Sequence, residues 1–207
     1  PGVASLVSDA NVLKAQFATV IVQQSGVGDL DAASLRRRLA GKVARVSANI
    51  TDLSEGINGT TTPKDLDTFF ELLWLNATAP RYDSNAVAAF VSQMKNQLAG
   101  RDRIPMMALL DTLAAVMTQN SPRQPPVTAT TLAMFNPARA MALYKERFAD
   151  FGDYTFVIVG NVQLDSLRPR VEQWLAALPA TGRKESFKDV APRPPAGVIT
   201  KTIRKGK

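Results

Sequence analysis

The 207-residue chain contains neither cysteine nor histidine. Without cysteine there is no disulfide, no thiolate metal ligand and no thiol nucleophile, although the compartment stays open because bacterial envelope proteins often lack cysteine too. Without histidine the commonest metal ligand and the commonest general base are missing together, which removes most hydrolytic machinery. No run approaches the ~18 uninterrupted apolar residues that a membrane-spanning helix needs, and the opening PGVASLVSDA lacks the basic-then-apolar layout of a secretory signal. Neither a Walker loop nor G-x-S-x-G occurs, and no segment repeats. Spacing alone neither supports nor removes a serine nucleophile paired with lysine.

What is present is enough apolar material for a core. Hydrophobic residues make up 45% of the chain, which suits one large domain or two small ones. The formal net charge is +7, so the placement of the charge decides what it means. One cluster is Arg36, Arg37, Arg38, Lys42 and Arg45, and another is the tail Lys201, Arg204, Lys205 and Lys207. Three successive arginines on a helix point in three directions, and no aromatic platform is interleaved with them. This reads as a solvated face, with neither nucleic acid nor a membrane as partner.

The strongest local signal is Tyr154 to Pro179. Phe156 to Val159 are four consecutive apolar residues, so the pattern predicts an interior strand covered on both sides. Gly160 and Asn161 break it, Asp165 or Ser166 caps a helix whose first turn tolerates Pro169, and Leu167, Val171, Trp174, Leu175 and Leu178 form one stripe.

Upstream, Leu13, Phe17, Val20 and Ile21 mark one face of a helix over residues 10–24, ended by Ser25 and Gly26. A short helix runs from the Asp31 cap through Leu35 to Leu39 and stops at Gly41. From Val43 to Ile50 the period becomes two, a strand; residues 51–54 turn, and a second strand with Gly56, Ile57 and Gly59 returns beside it, its glycines pointing to a bulge or a close backbone approach. Thr62-Pro63-Lys64-Asp65 starts a helix with Leu66, Phe69, Phe70 and Leu73 inward. Asp83 or Ser84 starts another, with Val87, Phe90, Val91, Met94 and Leu98, closed by Gly100. Met106, Leu109, Leu110, Leu113, Val116 and Met117 form a third stripe. Residues 120–126 are a loop, and Asn136-Pro137 opens a helix through Met141, Tyr144 and Phe148. Asp65, Asp67, Asp83 and Asp111 are the carboxylates to weigh as metal ligands, but capping accounts for Asp65 and Asp83.

This order predicts an α+β fold, a largely antiparallel sheet with helices packed on one face. Residues 1–179 form one domain; residues 180–207 are an exit linker, with Val198 to Ile203 as a last short strand.

Several segments in this order resemble one family: SGVGDLDAASLRRRLAGK from Ser25, EGINGTTTPKDLDTFFELL from Glu55, Pro80-Arg81-Tyr82-Asp83, and the stretch from Tyr144 to Pro179. They are similar to the pitrilysin or insulinase zinc metallopeptidases, which include the mitochondrial processing peptidase. The resemblance implies a large protein of four similar α+β domains whose halves close around a peptide. Its active domain carries H-x-x-E-H on a helix, where two imidazoles hold zinc and the glutamate activates its water. The helix that looks like the counterpart presents Phe17, Val20 and Ile21 at those places, and these cannot bind zinc. The chain therefore resembles a zinc-less third domain, and the resemblance implies an opening strand before Pro1 and a following domain after the last short strand. It has no catalytic residue and no cofactor of its own, zinc being expected in another domain of the parent.

The function so implied is a non-catalytic domain forming part of the wall of a peptide-degradation chamber. Arg36, Arg37, Arg38, Lys42 and Arg45 offer a basic surface to peptide. The alternative is a stand-alone peptide-binding or assembly module of the same superfamily without peptidase activity. Expected partners are the other domains of the same polypeptide and the parent's peptide substrate, with self-association of this chain through apolar surfaces. Family analogy favours the periplasm or cell envelope of a bacterium.

Overall fold

A computed structural model describes residues 3–101 and 104–204. Two strands, β1 (Ala44–Ile50) and β2 (Glu55–Thr61), pair antiparallel from Ala44 opposite Thr61 to Ile50 opposite Glu55. The alternation read in the sequence is the burial pattern of β1, with Ala44, Ala48 and Ile50 inward. No bulge interrupts the register. Gly59 serves close approach instead: a Cβ there would collide with the Arg45 carbonyl oxygen and the Phe69 ring.

Helices dominate the rest. A short α1 (Val3–Leu6) precedes α2 (Asp9–Ser25), which occupies the centre and packs on β1, on α5 (Ser84–Arg101) and on α8 (Pro137–Arg147). The small residues Ala15 and Ala18 of α2 are wholly buried, as is Ala140 of α8, so the two backbones can approach closely. Around that seam lie Ile21, Val22, Leu143, Tyr144 and Phe148. The stripe of α2 is thus rotated from the expected one. Val12, Ala15, Thr19 and Val22 form the buried line, while Leu13, Phe17 and Val20 are only half-buried, because small side chains win the closest helix contacts.

Between these, α3 (Ala32–Arg38) starts at Asp31, whose carboxylate accepts from the Ser34 N–H at 2.6 Å. A 3₁₀ turn (Pro63–Asp65) leads into α4 (Leu66–Thr78), which covers β1 and β2 with Leu66, Phe70, Leu72 and Leu73 buried. Asp83 caps α5 by accepting from the N–H groups of Asn85 and Ala86, and α5 runs past Gly100 through Arg101. Next come α6 (Pro105–Met117) and α7 (Ala129–Ala133), the latter capped by Thr128 and not foreseen in the sequence. Asn136 caps α8, accepting from the Arg139 N–H at 2.9 Å.

Two expectations fail in the C-terminal third. Residues 154–159 are not an interior strand: among the described residues the only sheet has two strands, so this segment finds no partner and Phe156 to Val159 are exposed. Its hydrophobicity signals a need for neighbours that the described residues do not supply. Residues 198–203 likewise form no strand. Lys205 and Lys207 of the basic tail lie outside the described residues.

The helix after the break, α9 (Leu164–Arg170), begins earlier than expected, so Pro169 falls in its interior. A π-turn follows over Val171–Leu175, with the Ala176 N–H reaching the Val171 carbonyl at 3.0 Å. Proline lacks an N–H and crowds the carbonyl four residues back, which fits the wider spacing just beyond it. Trp174 still packs edge-on against Trp74 of α4, ring centroids 6.2 Å apart, and Leu178 is buried. Residues 181–188 then turn back over the domain as a strap rather than leaving as a linker. Thr181 and Arg183 donate backbone N–H groups to Asp150, and the Lys188 N–H reaches the Ser5 hydroxyl at 3.1 Å.

The α+β class holds, with a smaller sheet and more helix than the sequence pattern implied.

Candidate functional site

The place to look first is α2, which carries Phe17, Val20 and Ile21. Ile21 is wholly buried in the core, and the Phe17 ring packs on Phe135 with centroids 5.4 Å apart. Leu13, Phe17, Val127, Leu132 and Phe135 surround one small apolar cleft. Hydrocarbon side chains offer no lone pair, so Phe17, Val20 and Ile21 do not fit a zinc ion. Among the described residues no three or more His, Cys, Asp or Glu stand together as a metal would require.

The four aspartates weighed as ligands are dispersed, and each has other work. Asp65 accepts from the Val43 N–H at 2.9 Å and the Thr62 hydroxyl at 3.0 Å, tying β1 to the start of α4. The first of these bonds chiefly lowers its pKa. Asp67 holds Arg170 of α9 in a two-pronged pair at 2.7 and 2.9 Å, and Asp111 pairs with Arg101. Asp83 caps α5, as described.

The basic residues stay at the surface. Arg36, Arg37 and Arg38 at the end of α3 are exposed, with Arg37 donating to the Ser34 hydroxyl at 2.9 Å. Lys42 donates to the Thr68 hydroxyl at 2.7 Å, and Arg45 projects from β1. A surface of this kind attracts or orients a partner and performs no bond chemistry.

The buried charges are the feature the sequence reading missed. Arg147 of α8 reaches Glu55 at the start of β2 through two bonds of 3.1 and 3.2 Å, and it also pairs with Glu185 of the strap. Arg183 closes the group on Glu185 at 3.3 Å. Burial opposes the Arg147 charge, but hydrogen bonds and the charges of both glutamates outweigh it and raise its pKa. Burial, and after it the Glu55 charge, raises the pKa of the Tyr154 phenol beside this group. Asp150 accepts from the Thr181 hydroxyl and from three backbone N–H groups, and its pKa falls to about 2, the Thr181 bond being the main cause. These are clamps between elements far apart in sequence, with Arg147 standing 92 residues from Glu55 and 38 from Glu185.

Alongside lies a groove. One cavity of about 630 Å³ is bounded by residues 53–59, by residues 153–158 and by Phe69, Phe70 and Leu73 of α4. A second, of about 280 Å³, continues it between residues 59–62 and 157–162.

No family model matches this chain. Two curated relatives do. The probable zinc protease PqqL of Escherichia coli is 24% identical over 162 residues, covering 78% of this chain and 17% of the relative. That of Haemophilus influenzae is 22% identical over 176 residues, covering 82% and 18%. This chain therefore spans less than a fifth of either protein's length. The crystal structure of periplasmic PqqL from Escherichia coli superposes with a TM-score of 0.74 over 93% of this chain and 21% of that one, at 21% identity. A peptidase M16 inactive domain from Pseudomonas fluorescens gives 0.63 over 90% of this chain and 46% of that one, at 15% identity. The chain is thus homologous to one portion of the PqqL zinc proteases and has the fold of an M16 peptidase domain.

Proposed function

We propose that this chain is a non-catalytic domain of a larger zinc peptidase, in which another domain of the same polypeptide holds the metal and cuts the peptide. This domain forms part of the wall of the chamber that encloses the substrate. One observation supports the reading: in a chain with the fold of a peptidase domain, α2, which the sequence resemblance likens to the metal-binding helix, buries Ile21 and packs Phe17 on Phe135. Restoring a charged base at such a position without a metal would leave it buried and unpaired, at a cost of several kcal/mol.

The exposed Arg36, Arg37, Arg38, Lys42 and Arg45 give the wall a basic face. Long-range attraction by such a face raises the local concentration of acidic peptide and weakens as salt rises. The periplasmic setting of Escherichia coli PqqL is taken over as part of this reading.

Metal analysis and peptide hydrolysis on this chain and on the longer polypeptide test it. The expected outcome is neither zinc nor cleavage in this chain, and both in the longer protein. One equivalent of zinc here, or cleavage by this chain alone, overturns it. In the longer protein, reversing Arg36, Arg37 and Arg38 to glutamate is expected to raise KM for acidic peptides while zinc content and kcat hold; an unchanged KM removes the basic wall.

A further inference from the structure

A further cleft, of about 430 Å³, runs between α5 and α7 and shares no residue with the groove along β2. One stripe of α5 forms its first wall: Ser84, Val87, Ala88, Val91, Ser92 and Lys95 recur at helical spacing and share a face. Leu132 and Phe135, from α7 and the turn after it, stand opposite. Val87 and Leu132 lie deepest, 2% and 4% exposed, so the floor is hydrocarbon. Phe135 has no room to fall back, because the space behind it, towards Leu13 and Phe17, measures about 10 Å³, no more than one water needs.

Charge sits at one end of this trough. Ser92 and Lys95 lie one helical turn apart, and neither side chain makes a hydrogen bond or ion pair among the described residues. No carboxylate lines the cleft among those residues either. The opposite end, at Ser84 and the 42% exposed Tyr82, opens to water. An ammonium without a counter-ion beside an apolar trough is complementary to an anion with an apolar tail.

The walls decide which kind of tail. Their backbone groups bond within helices, so a strand laid here finds no ladder, whereas a hydrocarbon chain needs none. The volume is also well short of what a partner helix, about 10–12 Å across with its side chains, fills over the same length. From Ser84 to Lys95 the helix rises about 16 Å, and carbon–carbon bonds near 1.5 Å advance a zigzag chain by roughly 1.3 Å each, so about ten carbons and a head group span the trough.

We propose that the cleft between α5 and α7 is a binding site for a straight-chain carboxylate of about ten carbons, its head on Lys95 and Ser92 and its tail over Val91, Val87 and Leu132. The site does not depend on the peptidase reading.

Calorimetric titration of this chain with decanoate, kept below micelle-forming concentrations, tests it. Saturation at a single site is expected, with octanoate binding about five- to tenfold more weakly for its two missing methylenes. Lys95→Gln is expected to weaken decanoate about three- to tenfold while leaving decanol unaffected, since only the carboxylate meets the ammonium. Ala88→Trp, at an exposed position on the stripe, is expected to abolish binding by filling the trough, with the thermal melt unchanged. Absence of saturable binding up to about 1 mM overturns the proposal. Equal affinity for decanol and decanoate overturns it too, because no anion is then recognised, and undiminished binding to Ala88→Trp puts the ligand elsewhere. Binding to this chain but not to the longer polypeptide also overturns it, because a neighbouring domain is then the occupant.

Discussion

Helix α8, PARAMALYKER, looks the more polar of two helices, yet it buries Ala140, Met141, Leu143, Tyr144 and Arg147, whereas α6, PMMALLDTLAAVM, buries nothing. Met106, Leu109, Leu110, Leu113 and Met117 of α6 all face solvent among the described residues. The difference lies in what stands opposite. α8 meets the alanine-lined face of α2 and fits closely, and its single buried cation meets two carboxylates. Hydrophobicity tells a helix to seek cover, while packing density and paired charge decide which elements obtain it.

The sharpest way to break this contrast is at Tyr144, which is 0% exposed and donates its hydroxyl to the Asn76 carbonyl at 2.9 Å. Tyr144→Ala is expected to cost about 3–5 kcal/mol in urea unfolding, from lost burial, an empty cavity and an orphaned carbonyl. If Leu113→Ala on α6 costs as much, the two helices do not differ as claimed.

Next comes the clamp. Arg147→Met is expected to cost about 3 kcal/mol, because Glu55 then lies buried without its cation. Replacing Glu55 by Gln in the same chain should recover part of that loss, since the uncompensated charge is gone. Absence of any recovery would point to lost packing alone.

A smaller effect appears with acid. The Asp150 pKa drops from 3.8 to about 2 on folding, so its stabilising contribution is complete above about pH 4 and disappears as pH falls through 2. Thermal melts between pH 5 and 2 are expected to show wild type and Asp150→Asn converging at the acid end. A gap that stays constant with pH would mean the carboxylate charge plays no part in holding the strap.

The smallest change in stability, and the most telling for α6, is expected from Leu109→Gln with Leu113→Gln: within about 0.5 kcal/mol of wild type. Sedimentation should show the wild-type chain associating as concentration rises and the double variant doing so less. Equal association removes α6 as the surface involved.

Reading the chain residue by residue recovered what rests on short-range chemistry. Alternation at residues 44–50, the caps at Asp31, Asp83 and Asn136, and the turn before Glu55 all stand in the structure. The rotated face of α2 was not legible, because alanine carries little hydrophobic weight yet permits the closest contact. Nor was the Arg147 group, whose partners are 92 and 38 residues away. That Phe17, Val20 and Ile21 offer no ligand atom was visible at once, since the side chains of phenylalanine, valine and isoleucine have none wherever they are placed.

By itself the sequence determined the local elements and the α+β class, because caps, periodicity and side-chain chemistry act within a few residues. Only the tertiary structure decided that Ala15 and Ala18 would seat α8, that Arg147 would bridge β2 and the strap, and that Phe156 to Val159 would border an open groove. Those outcomes depend on which surfaces meet across long stretches of chain, and close packing and charge pairing are properties of both partners at once.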